Sequence, residues 1–119
     1  MDCYGAKLTL NLKINPNSFT ALQAAIDSSQ NGVLNLLHNY SRDRSIDGDM
    51  SINILKNFVI NGNGYTVDSK SIGNVFKIKN INANVEINNL NIVNCNSSYG
   101  AAIDAYADKV IINNCKFIN

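Results

Sequence analysis

The chain has 119 residues and a net charge of +1. This length is typical of a single domain with a real hydrophobic core, and the balanced charge gives no reason to expect a nucleic-acid partner or an anionic membrane. We find no export signal and no apolar run long enough to span a membrane in the sequence, so we expect no direct membrane insertion of this segment.

The first predicted elements are a strand and a helix. Polar and apolar residues alternate over 6–14, which predicts a strand with one buried face. A helix is predicted over 18–29, where Thr20 and Gln23 form a capping box and Ser18 is a rival cap. Its narrow apolar face should cover the first β-coil, because the end of such a coil exposes unpaired backbone and apolar side chains.

Residues 32–56 are predicted to form a first coil that is interrupted by a polar loop. The apolar run 33–37 predicts one strand of this coil, and 51–54 predicts another. The polar segment 38–50 is interpreted as an excursion from the coil. It contains the only histidine, His38, so neither a zinc site nor a Ser-His-Asp triad has its parts.

Charged side chains are concentrated in this loop: Arg42, Asp43, Arg44, Asp47 and Asp49. Three aspartates around a glycine could indicate a cation-binding loop. Their order does not match the EF-hand spacing, and two arginines lie among them. We therefore interpret the segment as a solvated turn and predict no metal site and no cofactor.

The remaining residues, 57–119, contain one sequence pattern three times. Isoleucines and asparagines recur in step, with offsets of 27 (87 − 60) and 25 (112 − 87), at Ile60, Ile87, Ile112, Asn61, Asn88 and Asn113. A second sequence pattern, 73–78, recurs at 100–105 with an offset of 27 (100 − 73). Self-similarity at this period indicates a solenoid, in which each unit buries its apolar face by stacking on the next.

Within each unit, apolar and polar residues alternate and Asn-Asn or Asn-Gly interrupts the alternation, which predicts strand, corner and strand. No helical run lies between these strands, so βαβ crossovers cannot connect them. The remaining way to stack like on like is a helical coil of sheets. The stretch resembles the right-handed parallel β-helix family, which implies an all-β solenoid, here of about three coils with an N-terminal capping strand and a short α-helix.

Two stretches resemble the opening of β-helix domains in large archaeal and bacterial adhesin-like surface proteins: 18–27, and after one strand 60–68. The resemblance covers residues 18–119. It implies a structural and adhesive module at the cell surface or outside the cell, which displays loops to glycans or partner cells. The alternative is the N-terminal part of a carbohydrate-active β-helix enzyme, a polysaccharide lyase or a glycoside hydrolase.

We expect one domain over 1–119, with a capping unit at 1–31, the first coil at 32–56 and repeated coils at 57–119. The sequence stops directly after a predicted strand without a polar closing unit. Solenoids need such a unit, so we expect an N-terminal excerpt of a longer protein. The bare strand region 110–118 should then pair edge to edge with another copy.

The alternation also assigns sides within the repeats. Phe76 and Ile78 should point inward, and Lys77 should lie beside Asp104 of the next coil and form an ion pair with it. The chain has 22 asparagines, for which we consider two interpretations. One is stacked amide ladders, and the other is a coding bias toward Asn, Ile and Lys.

Outward aromatic and acidic residues near the end of the chain form the candidate sugar-binding surface: Tyr99, Asp104, Tyr106 and Asp108. Hydrolysis would need two carboxyl groups across a groove, and elimination a base with a Ca²⁺ cluster. Asp68 and Glu86 belong to other strands or turns, and no arginine follows Arg44. We therefore predict no catalytic residue.

The remaining candidate sites are the cysteines and the N-glycosylation sequons. The three cysteines, Cys3, Cys95 and Cys115, have no metal-binding spacing. Cys115 is in step with Leu90 and is expected to be a buried thiol, while a disulfide is the alternative. Two triplets, at Asn39 and Asn96, are candidate glycosylation sites if the protein is exported.

Overall fold

The computed structural model describes residues 14–96 and 102–119. The predicted strand at 6–14 lies outside this range except for its last residue. The helices are α1 Phe19–Ser28 and α2 Arg44–Asp47. The strands are β1 Val33–Asn35, β2 Tyr40–Ser41, β3 Ile52–Asn53, β4 Phe58–Asn61, β5 Thr66–Asp68, β6 Phe76–Asn88, β7 Asn91–Val93, β8 Ile103–Asn113 and β9 Lys116–Ile118.

These strands stack in parallel as a β-solenoid of about three turns, so the predicted coil architecture is confirmed. Three faces run along it. Face A contains β1, β4, the second part of β6 (84–88) and the second part of β8 (109–113). Face B contains β2, β5, β7 and β9. Face C contains β3, the first part of β6 (76–80) and the first part of β8 (103–107).

The sequence repeat gives the pairing register on face A. Ile60 pairs with Ile87, and Ile87 pairs with Ile112, as the periodicity predicts. Ile60 and Ile87 are fully buried. Ile112 belongs to the last coil and remains 42% exposed. Equivalent residues therefore form one column, and burial within it depends on having a coil on both sides.

The core fills the interior of the solenoid with apolar side chains. Phe76 and Ile78 are fully buried, which confirms their predicted inward orientation. The chain then turns from face C to face A, and the next buried residues are Ala83, Val85 and Ile87. The inward positions change from even to odd numbers across this corner, where Ile81 and Asn82 are both exposed. The ladder with β8 is irregular at the same place, between Asn80 and Asn84.

Asparagine forms the corners that lead from face A toward face B. Asn63, Asn89 and Asn114 adopt left-handed backbone conformations with φ of 52°, 54° and 53°. Asparagine tolerates this region better than other non-glycine residues, because its short amide can hydrogen-bond locally. Gly62 lets the neighbouring coil approach closely at this corner, since a Cβ at this position would lie 2.6 Å from the carbonyl oxygen of Asn89.

A column of asparagine amides also links the four strand segments of face A. The Nδ2 atoms of Asn61, Asn88 and Asn113 donate to the Oδ1 atoms of Asn35, Asn61 and Asn88 at 2.8, 3.0 and 2.9 Å. Every amide in the column donates toward the preceding coil. The amide-ladder interpretation of the asparagine excess is confirmed at this column.

Helix α1 covers the first coil, as its apolar stripe predicts. Phe19, Leu22 and Ile26 are buried in the core. The Ser18 hydroxyl caps the helix by accepting from the N–H of Ala21 at 3.1 Å. The predicted capping box at Thr20 and Gln23 is wrong, because both side chains bind elsewhere.

Gln23 binds the edge of strand β3. Its Nε2 donates to the carbonyl oxygen of Asn53 at 2.9 Å, and its Oε1 accepts from the N–H of Asn53 at 2.7 Å. The side-chain amide thus takes the place of one peptide unit of a neighbouring strand. This contact satisfies part of a sheet edge that would otherwise be open.

Candidate functional site

The outward side of face C carries a row of polar and aromatic side chains. Its register places Lys77 beside Asp104 and Lys79 beside Tyr106. Tyr106 is 67% exposed, and the Asp104 side chain is 45% exposed. An exposed phenol ring can stack on the apolar side of a sugar, and the neighbouring charged groups can hydrogen-bond its hydroxyls.

Two of the four predicted sugar-binding residues come together. Asp104 and Tyr106 lie two positions apart on β8 and share one side of the strand. Asp108 is exposed but follows the point at which the β6–β8 ladder becomes irregular. Tyr99 lies outside the described residues. The described part of the candidate surface is therefore a pair of residues with a separate acid nearby in sequence.

Asp104 makes a different ion pair from the one predicted. Lys77 is its register neighbour, but the Nζ atom of Lys79 lies 2.9 Å from Asp104 Oδ1. Both side chains of this pair are 45% exposed, so the interaction contributes no more than about 1 kcal/mol. Strand register places both residues next to Tyr106 in the sheet, since Lys79 is its partner on β6 and Asp104 lies two positions before it on β8.

The acids of the repeats lie on different faces of the solenoid. Asp68 is on face B, 3.6 Å from the Nζ atom of Lys70. Glu86 is on face A, where its Oε2 accepts from the Nδ2 of Asn88 at 2.9 Å. Asp104 is on face C. These three carboxylates therefore do not form the facing pair that glycoside hydrolysis uses.

A metal centre is not formed by the described residues either. Within 14–96 and 102–119, no group of three or more His, Cys, Asp or Glu side chains is placed to hold an ion. His38 instead lies against Tyr40, with ring centroids 4.5 Å apart. Its Nδ1 is 2.8 Å from the carbonyl oxygen of Asn39.

The polar loop contains the largest departure from the sequence predictions. Part of it is not an excursion, since β2 belongs to face B and pairs with β5. The predicted solvated turn is also wrong for two of its charged residues. Arg42 is 3% exposed and Asp47 is 6% exposed.

Arg42 lies inside the solenoid and binds backbone carbonyl groups of both flanking segments. Its guanidinium donates to the carbonyl oxygens of Gly48 and Met50 at 2.9 and 2.6 Å, and of Ser69 and Ile72 at 3.0 and 2.7 Å. The guanidinium carbon also lies 4.5 Å from the centre of the Phe19 ring, a cation–π contact. One side chain thus ties the loop of the first coil to the corner of the second.

Asp47 caps helix α1 from the neighbouring segment. Its carboxylate accepts from the N–H groups of Phe19 and Thr20 at 2.9 and 2.8 Å, and from the Thr20 hydroxyl at 2.7 Å. The N–H of Asp43 donates to it at 2.8 Å. Burial alone would raise the pKa of Asp47, but these hydrogen bonds outweigh burial and hold the pKa below its ordinary value.

A sequence signal for these contacts exists in the repeat itself. Arg42 and Ser69 are 27 positions apart, and so are Thr20 and Asp47. The same separation joins Asn39 to Thr66. Extending the 27-residue period to the polar residues before position 57 would have predicted these contacts.

The described thiols are free. Cys95 and Cys115 are both partly buried and pack against the core. Burial raises the pKa of Cys95, and the guanidinium of Arg42 opposes that shift. Cys115, expected as a buried thiol, is only partly buried, and its Sγ lies 3.4 Å from the carbonyl oxygen of Ile87. Cys3 lies outside the described residues.

The two sequon asparagines are both exposed. The Oδ1 of Asn39 accepts from the N–H of Thr66 at 2.9 Å, so this amide already stabilises the adjacent coil. Asn96 forms an isolated bridge with Gly73, and residues 97 and 98 of its triplet lie outside the described part. Glycosylation at both positions stays a prediction.

None of the helices in the described residues has the length and apolar character needed to cross a membrane. Comparison with protein-family models, with curated proteins and with solved structures finds no significant match.

Proposed function

We propose that this chain is a non-catalytic structural module of an adhesin-like protein at the cell surface, which binds glycans through the outward side of face C. The observation that carries the proposal is that the exposed Tyr106 is next to the ion pair of Lys79 and Asp104 in the strand register. The adhesin-like role and the extracellular location rest on the resemblance of 18–27 and 60–68 to such proteins.

The solenoid supports this role because it presents the site on a stiff sheet. Lys79 lies on β6, whose inward residues Phe76 and Ile78 are fully buried, and Asp104 lies on β8, which pairs with β6. A sugar that stacks on Tyr106 would meet groups that are already in position, which reduces the entropy lost on binding. Sugar rings in a chain could contact successive coils along the same face.

A carbohydrate-active enzyme is the alternative, and no described residue favours it. The acids at 68, 86 and 104 lie on three different faces, and Asp104 is held by Lys79. Binding without turnover is the function that this arrangement supports best.

The test is a glycan-array screen of the purified chain, followed by titration of the best glycan. We expect Tyr106→Ala to weaken binding about threefold to tenfold, since an aromatic contact contributes about 0.5–1.5 kcal/mol. Asp104→Asn should weaken it less. Leu37→Ala is the matched control, because Leu37 is 78% exposed and lies outside face C.

Two results would contradict this proposal. One is that the wild-type chain binds no glycan on the array. The other is that Tyr106→Ala and Leu37→Ala bind equally well to a glycan that the wild type recognises.

The same proposal includes self-association through the last coil. Four large apolar side chains are exposed there, Ile111, Ile112, Phe117 and Ile118, at 39%, 42%, 52% and 53%. Soluble proteins seldom leave a strand edge with such side chains uncovered.

A further inference from the structure

The chain contains three Asn-Gly dipeptides, at 31–32, 61–62 and 63–64. Asparagine before glycine is prone to a spontaneous reaction, because glycine has no side chain to hinder attack of its backbone nitrogen on the preceding amide. The reaction needs an asparagine side chain that can turn toward the following peptide and a backbone N–H that can give up its proton. Hydrogen bonds to either group therefore slow it.

Both reacting groups are held in the dipeptide 61–62. The Nδ2 of Asn61 donates to the Oδ1 of Asn35 at 2.8 Å, and its Oδ1 accepts from the Nδ2 of Asn88 at 3.0 Å. The N–H of Gly62 donates to the carbonyl oxygen of Asn88 at 2.7 Å. The reaction can proceed here only after these hydrogen bonds break, because the amide must rotate and the Gly62 nitrogen must be released.

The dipeptide 63–64 is held in a similar way at the corner between faces A and B. The Nδ2 of Asn63 donates to the carbonyl oxygen of Leu36 at 2.9 Å. The N–H of Gly64 donates to the carbonyl oxygen of Asn89 at 2.7 Å. The asparagine is thus bound to the preceding coil and the glycine to the following one, so this position is protected as well.

The dipeptide 31–32 lies in the connection between α1 and β1, and its reacting groups are not held. Asn31 is exposed. Among the described residues, no group is hydrogen-bonded to the Asn31 side chain or to the N–H of Gly32. Gly32 contacts the next coil through its carbonyl oxygen instead, which accepts from the N–H of Val59 at 2.8 Å. The structure therefore leaves this one dipeptide ready to react.

We propose that Asn31 is a site of spontaneous deamidation in the folded protein, and that the reaction weakens the junction between α1 and the first coil. The backbone nitrogen of Gly32 loses its proton and attacks the Cγ of Asn31, so that a C–N bond forms and a cyclic imide closes. The bond from Cγ to Nδ2 breaks, and Nδ2 leaves as ammonia with the proton that Gly32 gave up. Water then opens the imide at either carbonyl, which gives aspartate or isoaspartate at position 31.

Both products disturb this junction. Each adds a carboxylate just beyond the C-terminal end of α1, where the helix dipole disfavours negative charge. Isoaspartate also inserts an additional carbon into the main chain directly before Gly32. The bond from Val59 to the Gly32 carbonyl lies at the start of the pairing between β1 and β4, so a longer main chain displaces the beginning of this ladder.

Peptide mapping by mass spectrometry tests the site. The purified chain is incubated in mildly alkaline buffer, once folded and once in denaturing urea, and the products at the three asparagines are measured over time. Comparing each asparagine with itself in urea removes the influence of its sequence neighbours. Since one hydrogen bond changes an equilibrium by up to about tenfold, unfolding should accelerate the reaction at Asn61 and Asn63 at least about tenfold and leave the rate at Asn31 nearly unchanged.

Urea unfolding of fresh and aged protein tests the effect on the junction. Aged wild type should unfold at a lower urea concentration than fresh wild type, in proportion to the product at position 31. Asn31→Gln is the matched variant, because glutamine keeps the amide but must close a larger ring and reacts far more slowly. Its unfolding midpoint should stay the same during the same incubation.

The outcomes decide each part of the proposal. Products that accumulate at 31 in the folded chain, with 61 and 63 protected, support the site. Equal protection of all three asparagines, or reaction at 61 or 63 as fast as at 31, overturns it. Modification at 31 that leaves the unfolding midpoint unchanged overturns the weakening of the junction. The site lies outside face C, so these results and those of the glycan array can fail separately.

Discussion

The first and last coils have the same backbone plan but opposite surroundings. In the first coil, helix α1 lies over the core with its own Leu22 and Ile26 side chains buried, and Asp47 binds the helix N-terminus. In the last coil, Ile112 and Phe117 occupy equivalent inward columns and are 42% and 52% exposed. Alternating apolar residues therefore define a coil, but a neighbouring layer on each side is what buries them.

The comparison also separates two kinds of stabilisation. Interior coils are stabilised by stacking on coils of the same kind. A sequence repeat of constant length is enough to produce this stacking. The first coil needs a specific polar cluster in addition, because a helix cannot pair with a strand edge as another strand would. Arg42 and Asp47 belong to that cluster, and neither has an equivalent role in the repeats.

The largest expected effect comes from a charge in the interior column. Ile87→Asp places a carboxylate where the side chain is fully buried, and it should destabilise the chain by more than about 4 kcal/mol. Ile112→Asp, in the same column but at the open end, should cost less than half of that, and Lys77→Asp should have little effect. Thermal unfolding at low micromolar concentration measures all three, and equal losses would contradict the assignment of sides.

An intermediate effect is expected from the cluster beneath α1. Arg42→Lys keeps the charge but cannot reach the carbonyl groups of both Met50 and Ile72, so buried acceptors lose their donors. We expect a loss of about 3 kcal/mol in the free energy of unfolding by urea. Arg44→Lys changes an exposed residue and should stay within about 0.5 kcal/mol. A similar result for both would show that the Arg42 contacts do not hold the first coil.

The smallest of the three effects is the loss of the Asp47 carboxylate. Asp47→Asn should cost about 1–3 kcal/mol at neutral pH. The folded-state pKa of Asp47 is lowered, so its stabilisation is present above the unfolded pKa of about 3.9 and is lost as pH falls through the folded pKa. The difference between wild type and Asp47→Asn should therefore shrink below about pH 4. A difference that stays constant down to pH 2 would mean that another group carries the acid dependence.

The repeated part of the fold was predictable because the period determines both strand identity and register. Ile60, Ile87 and Ile112 align in the structure as they do in the sequence. For the N-terminal end of the solenoid, the sequence predicted only a helix with an apolar stripe. Thr20 and Gln23 match a local capping box, but tertiary partners 27 and 30 positions away bind their side chains instead.

The candidate site was predictable in part for the same reason. Strand alternation placed Asp104 and Tyr106 on one side, and β8 confirms it. The choice of Lys79 over Lys77 as the ion-pair partner depends on side-chain reach across the coil, which register alone does not specify. Burial of Arg42 and Asp47 was missed because a cluster of charges within a Gly-containing segment is usually solvated.

Among the described residues, the connections from face B to face C are long, spanning 42–51 and 69–75, whereas those from A to B span only 36–39, 62–65, 89–90 and 114–115. The longer connections therefore lie along one edge of the solenoid, between faces B and C. New residues added at its exposed positions, such as Asp49 or Lys70, would lengthen a surface loop without shifting the pairing of any column. Recognition of a new ligand could thus evolve there while the folded frame stays the same.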